Sequence, residues 1–348
     1  MKVLVVGGGV AGICLTHELL QEGCDVQLTD NNRNVSSVVA AGIINPLVFR
    51  RMTLSWRVSE LLPFAYQKYR EIEQLIGVSF FHPLAIRRLF ASDQELDFWK
   101  KKQELPEFDE YMELLTDADL SFPLEQNTFG TGRVKQASYI EATPFIEGNK
   151  TYFKNKGILR EETFDHADLN PQTGAYKGEL YDYILFAEGK DAKYNPLFSY
   201  LPLEQTKGEL LVIQSDEIYS AESLNRKCFL LPLGNGQFKV GSTYVWDTDN
   251  TDPTEEGKQA ITENLRSITS ESYQILEHRA GVRPTVLDRR PLIGKHPEFP
   301  KMVIVNGLGS KGFMIAPLVI HELIDHLFHG TALNPESDIK RFEGGRQI

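Results

Sequence analysis

"KVLVVGGGVAG", Lys2 to Gly12, runs four apolar residues, Val3 to Val6, straight into glycines at positions 7, 9 and 12. A short continuous apolar run that ends at such a turn predicts a buried strand. The next stretch, "VAGICLTHELLQEG", puts Ile13, Leu15, Leu19 and Leu20 on one side of a helix and stops at Gly23. "DVQLTD", Asp25 to Asp30, then predicts a second strand. Strand, helix and strand in this order predict a βαβ unit with parallel strands. In that setting each glycine has a task. Gly7 permits the tight turn, Gly9 lets the backbone approach a diphosphate, and Gly12 lets helix and sheet pack closely. Val10 and Ala11 open the helix, whose free N–H groups suit phosphate oxygens, and Asp30 stands where an acid accepts hydrogen bonds from a ribose. The turn predicts a dinucleotide and leaves open which one.

The same grammar returns in "VIVNGLGSKGFMIAP", Val303 to Pro317. A nicotinamide cofactor has no need of a second glycine turn. FAD is longer, and its redox ring must also be gripped. Gly307, Gly309 and Gly312 would let the backbone run close to a ring. A helix beginning near Phe313 would direct its positive end at the flavin N1–C2=O locus, where negative charge gathers on reduction. Lys311, beside Ser310, would add a full charge.

Between these two turns the chain changes character. A helix is expected from about Arg57 to Ile76, and residues 80–144 lack any βαβ rhythm. "ELYDYILFAEG", Glu179 to Gly189, returns to an apolar strand, and residues 207–244 have a hairpin pattern with its turn at Gly234–Gly236. Helices follow at about Thr254 to Ser267 and over "APLVIHELIDHLFHG". The expected fold is α/β (α+β): a Rossmann-like cofactor domain from residues 1–80, 145–200 and 275–348, with an inserted mixed-sheet substrate domain from 81–144 and 201–274.

Composition narrows the partners. The 348 residues are 41% hydrophobic and 24% charged, which suits a soluble globular protein. A net charge of −11, from 37 basic and 48 acidic residues, argues against a broad nucleic-acid footprint. Val3–Val6 is too short for a leader's apolar core, and no window supplies the ~20 apolar residues that span a bilayer. A cytoplasmic protein with no membrane contact is expected. Cys14, Cys24 and Cys228 form no framework, and His321, His326 and His329 fit no usual zinc spacing, so no metal is expected.

The ordered set "VLVVGGGVAG", "SSVVAAGIINP", "YDYILFAEG", "LLPLGNGQFKVGST", "AGVRPTVLDRRPLIG" and "VNGLGSKGFMIAP" resembles the D-amino-acid oxidase and glycine oxidase family of flavoproteins over nearly the whole chain. The resemblance implies FAD and oxidation of a C–N bond in a small amino acid or secondary amine, by hydride transfer to flavin N5. It places Gly7, Gly9 and Gly12 at the pyrophosphate, Asp30 at the ribose, Ala41, Gly42 and Ile43 along the flavin edge, Gly189 against the cofactor and Gly309 to Gly312 at the pyrimidine end. Arg283 stands where these oxidases hold the substrate carboxylate, a contact that a guanidinium fork makes bidentately. The alternatives are that Arg283 pairs with Asp288 or caps a loop. Phe229 occupies a position where glycine oxidase-like members commonly carry a tyrosine. "RPTVLDRRP" has no cysteine to tether a flavin, so FAD is expected to be non-covalent.

Arg50, next to Arg51, and Tyr244, near Trp246, are further candidates for the substrate pocket. "INPLVFRRMTLSWRVSELLPFAYQKYREIE" resembles the oxidase half of the bifunctional tRNA wobble-uridine modification enzyme, without its methyltransferase half. A flavin-binding protein with no amine turnover is the third reading.

Overall fold

The computed structural model describes residues 1–33, 35–115, 128–246, 248 and 250–342. The opening residues form the expected unit. Strands Lys2–Val6 and Asp25–Thr29 pair in parallel, Val3 opposite Val26, and helix Val10–Gln21 connects them. Tyr183–Phe186 adds in parallel on the other side, Val5 opposite Leu185, and Met302–Asn306 adds in parallel beyond it, Leu185 opposite Val303. Among the described residues the sheet has six strands, with Leu292–Lys295 antiparallel at one edge and Leu159–Arg160 at the other.

This order has one consequence for function. The two glycine turns leave strands of the same direction with a single strand between them, so both emerge at one edge of the sheet about 10 Å apart. That carboxyl edge is where open α/β sheets hold ligands.

Both faces of the sheet are covered, which is why its strands are continuous apolar runs rather than alternating ones. Val3 and Val5 pack into a core shared with Ile13, Leu15 and Leu19 of the first helix and Val319 and Leu323 of helix Gly312–His329. Leu4 and Val6 face the other way, into a cluster with Ile184, Phe186, Tyr176 and Phe198. Helix Val58–Ile76 packs beside the terminal helix, and buried Tyr69 donates its hydroxyl to the Phe313 carbonyl at 2.6 Å.

The second sheet is mixed and, among the described residues, has ten strands. Its longest pair is Leu203–Gln214 against Gln274–Val286, antiparallel from Leu203 opposite Val286 to Gln214 opposite Gln274. The sequence places residues from 275 onward on the cofactor side; by hydrogen bonding, Gln274–Val286 is a strand of this second sheet. Hairpin Phe229–Gly234 and Gln237–Gly241 follows, with the turn where the glycines predict it. Ser223–Asn225 then pairs in parallel with Phe81–Leu89. Only Tyr183–Phe186 of the expected 179–189 strand joins the parallel sheet, because Glu179–Leu180 pairs instead with Ala175–Tyr176 in a separate small sheet. The three cysteines are buried and free. Among the described residues, no helix is long and apolar enough to cross a membrane.

The first turn is packed backbone on backbone. Gly7 has φ +102°, and a Cβ there would lie 2.5 Å from the Ala187 carbonyl oxygen; a Cβ on Gly12 would lie 1.7 Å from the Gly7 oxygen. Neither neighbour is a side chain that can swing away. Gly12→Ala is therefore expected to destabilise the protein by at least about 1–3 kcal/mol, the usual cost of overpacking, and to reduce FAD retention. Urea denaturation and absorbance near 450 nm check it, and an unchanged midpoint with full flavin content would contradict the close packing.

Candidate active site

Residues from both glycine turns line one cavity of about 380 Å³, within the size range of small-molecule sites. Gly9, Val10 and Ala11 form one part of the wall, and Gly309, Ser310, Lys311, Gly312 and Phe313 another. Ala41, Gly42, Ile43 and Gly189 also line it, as do Phe229 and Arg283 from the ten-stranded sheet. Gly7, Gly12 and Gly307 stand outside the lining and serve the turns themselves; a Cβ on Gly307 would meet Val286 at 2.7 Å.

The cavity suits a long anionic cofactor. Helix Val10–Gln21 has Gly9 as its N-cap, with no side-chain cap, and helix Gly312–His329 has Lys311, again with none. Both helix N-termini, with their partial positive charge, therefore end in the lining of the same cavity. Val10 N–H donates to Ser37 Oγ at 3.3 Å, and Ser37 is itself in the wall.

Asp30 lies behind the first turn. It is 4% exposed, so its carboxylate requires partners. Gly8 N–H donates to Oδ1 at 2.9 Å; Asn32 N–H, at 3.2 Å, and Lys150 Nζ donate to Oδ2. Lys150, on helix Ala142–Asn155, is a partner that nothing in the sequence announces.

Lys311 lines the cavity, but its ammonium is committed to the neighbouring loop. Nζ donates to the Asn45 carbonyl at 2.7 Å, to Ser55 Oγ at 2.6 Å and to the Leu47 carbonyl at 3.4 Å. Three donors meet three oxygens, and among the described residues none of its partners is a carboxylate. Burial pushes its pKa down to about 8. Lys311 thus braces the loop at 45–47 against the start of the terminal helix and gives the wall a positive charge.

Arg283 is the most telling residue. Its Nη2 donates to Ser242 Oγ at 3.2 Å, and its guanidinium stacks 5.4 Å from the centre of the Tyr244 ring. Nη1 is out of solvent and has no hydrogen-bond partner. Burial lowers its pKa from the ordinary value. The pairing with Asp288 does not form, because that carboxylate accepts from Arg341 Nε at 3.1 Å. The guanidinium lies across Gly208 on the adjacent strand, where a Cβ would be 2.0 Å from Nη2. Gly208 and Ser242 thus shape the Arg283 site without having been candidates from the sequence: Ser242 stands next to last in the segment "LLPLGNGQFKVGST", and no local motif marks Gly208.

Two candidates fall elsewhere. Arg50 and Arg51 lie on an exposed turn outside the lining, where Met52 N–H closes back on the Phe49 carbonyl, and Phe49 faces the cavity instead. Tyr244 is 47% exposed and supports Arg283 from outside the lining, edge-on to Trp246. The three histidines of the terminal helix have separate partners: His321 with Glu18, His326 with the Thr331 carbonyl, and His329 with Glu22.

A Rossmann-like sheet whose two glycine turns meet at one cavity defines a dinucleotide-dependent oxidoreductase. The chain belongs to the DAO family of FAD-dependent oxidoreductases, whose sequence model matches residues 2–325, and it is an enzyme of that class. It is 23% identical to the tRNA 5-methylaminomethyl-2-thiouridine biosynthesis bifunctional protein MnmC of Marinobacter nauticus, over 99% of this chain and 58% of that protein. The chain thus spans little more than half the length of this curated relative. It is 22% identical to glycine oxidase of Pseudomonas aeruginosa, over 93% of this chain and 94% of that one. Glycine oxidase of Geobacillus kaustophilus superposes with a TM-score of 0.82 at 18% identity, covering 100% of this chain and 99% of that one. L-proline dehydrogenase of P. horikoshii superposes at 0.81 and 19%, with the same coverage.

Two measurements test the electrostatics. Arg283→Met is expected to weaken binding of a simple carboxylate such as acetate by about 2–5 kcal/mol, roughly 30-fold or more. Gly208→Ala, which displaces the guanidinium, is expected to weaken it about 10-fold, on the order of 1.4 kcal/mol, with flavin content unchanged in both; perturbation of the flavin spectrum reads the affinity. Lys311 is charged below a pKa of about 8 and neutral above it, so anion affinity should fall as pH rises from 7 to 9. A pH titration of the same dissociation constant should show that step in wild type and lose it in Lys311→Met.

Proposed function

We propose that this enzyme oxidises the C–N bond of a small amino acid or secondary amine bearing a carboxylate, with FAD held non-covalently. The observation that carries the reading is Arg283 Nη1, desolvated and without a partner in the cavity that both glycine turns line. A guanidinium with one desolvated, unpaired nitrogen is costly in the free protein and well suited to an incoming carboxylate. Its stacking on Tyr244, with Gly208 beneath and Ser242 beside it, fixes the fork before substrate arrives.

When bound, FAD supplies the hydride acceptor. The chain supplies position and field. Arg283 and Lys311 put positive charge in the wall, which disfavours an ammonium nearby and favours the neutral amine that can lose a hydride from Cα. The cavity's carboxylates are engaged elsewhere: Glu188 with His166 and Asn195, Glu209 with Thr254 and His278, Asp191 with Lys190. The proposed reaction accordingly needs no side-chain base. The substrate leaves as an iminium carboxylate, which water hydrolyses to a keto or aldehyde acid and an amine. None of the three cysteines lines the cavity, which supports non-covalent FAD. On this reading the six-stranded sheet carries the nucleotide end and the ten-stranded sheet forms the substrate wall.

A second reading, oxidation of a modified tRNA base, is favoured by the likeness to MnmC over 99% of the chain and by exposed Tyr244 and Trp246 beside Arg283. Anaerobic mixing of the FAD-loaded protein with glycine, sarcosine, proline and D-amino acids should bleach the flavin with at least one of them. A flavin left oxidised by the whole panel, together with a salt-sensitive mobility shift of bulk tRNA, would transfer support to the second reading.

A further inference from the structure

The cavity has a second polar end that neither the cofactor turns nor Arg283 account for. Ser223 is fully buried and lines the cavity, and its Oγ has no hydrogen-bond partner. Asn225, two residues along the same strand and so on the same face, lines it as well. Arg88 Nη1 donates to Asn225 Oδ1 at 2.5 Å, and Glu95 holds Arg88 in turn at 2.6 Å. That bond occupies the amide oxygen and leaves donor capacity on the amide nitrogen.

The ground between the two ends is apolar. Asn225 stands opposite Phe229, Phe229 opposite Gly241, and Gly241 opposite Leu210. Gly208, under the Arg283 guanidinium, shares Leu210's face of its strand. From the strand carrying Gly208 to the strand carrying Ser223 is three strand spacings, about 14 Å. Allowing one hydrogen bond of about 3 Å at each end leaves about 8 Å for the ligand.

We propose that the substrate is a bipolar chain: a carboxylate on Arg283, an apolar middle against Phe229 and Leu210, and a distal hydrogen-bonding group, an amide or a hydroxyl, on Ser223 and Asn225. This rests on the carboxylate role of Arg283 proposed above. It turns "small amino acid" into a narrower class, an amino acid or secondary amine whose far end is polar and about 8 Å from the carboxylate. A buried hydroxyl with no partner costs free energy until something bonds to it, and a ligand that satisfies it gains that free energy back as selectivity over an apolar one of equal length.

The test uses unreactive ligands with the FAD-loaded protein. Adipic acid monoamide and heptanoate have similar lengths and differ at the far end; their dissociation constants are read from the flavin spectrum and by calorimetry. The expected result is that wild type binds the monoamide at least 10-fold more tightly, and that Ser223→Ala abolishes most of this preference. The heptanoate constant, FAD affinity and melting temperature should stay near wild type, because Ser223 Oγ has no protein bond to lose. Equal constants for the two ligands in wild type overturn the proposal. So does a Ser223→Ala protein that keeps the preference but loses FAD affinity, since the hydroxyl would then serve the cofactor. Arg283→Met separates the two levels. If it weakens heptanoate while wild type shows no preference, only the distal end is wrong. If it leaves both ligands unaffected, or if neither ligand binds wild type, the carboxylate reading falls as well.

Discussion

The parallel alignment of Lys2–Val6 and Met302–Asn306 on either side of Tyr183–Phe186 is the constraint on which the rest of the molecule depends. Parallel strands send their carboxyl ends to one edge, so two glycine turns separated by almost the whole chain arrive side by side. Antiparallel pairing of either outer strand would put the turns at opposite edges, with no single cofactor able to reach both. The contacts that enforce the alignment are apolar. Val3, Val5, Leu185, Val303 and Val305 share a core with the first and last helices, and a change of register would take that whole set out of it.

The same packing leaves two helix N-termini without side-chain caps at the cavity. In an ordinary helix this is a small defect, repaired by water or a serine. Here both termini face the cavity, and Ser37 meets only the Val10 N–H of the first. Lys311 adds to the field without presenting a free donor, since its ammonium is spent on the Asn45–Leu47 loop and Ser55. A protein with a net charge of −11 thus brings Arg283, Lys311 and two helix N-termini to one cavity.

Arg283 shows how the second sheet serves the site. A buried, half-satisfied guanidinium is tolerated only where the surroundings hold it in place, and three weak restraints do so here: a hydroxyl, an aromatic face and the bare backbone of a glycine. They come from two segments. Gly208 lies in the strand paired with Arg283's own, and Ser242 and Tyr244 follow the hairpin. The order of the sheet therefore decides both where the guanidinium sits and how far the polar end at Ser223 lies from it.

Local sequence determined the local structure. The apolar run before Gly7 and the period of the following helix specify a βαβ unit because strand burial and helix amphipathicity are properties of neighbouring residues, and the two glycine turns carry their close-packing demand in their own spacing. The family resemblance extended this to FAD and to Arg283 as a candidate. What no stretch of sequence could show was distance between remote segments. That Lys150 would seat on Asp30, that Asp288 would choose Arg341 and so leave Arg283 without that carboxylate, that Arg50 would turn outward and Phe49 inward, and that Gly208 would clear a space for a guanidinium were decided only when the strands took their order. Pairing between distant charges and the fit of a side chain over a neighbouring strand depend on sheet topology, and topology is a property of the whole fold.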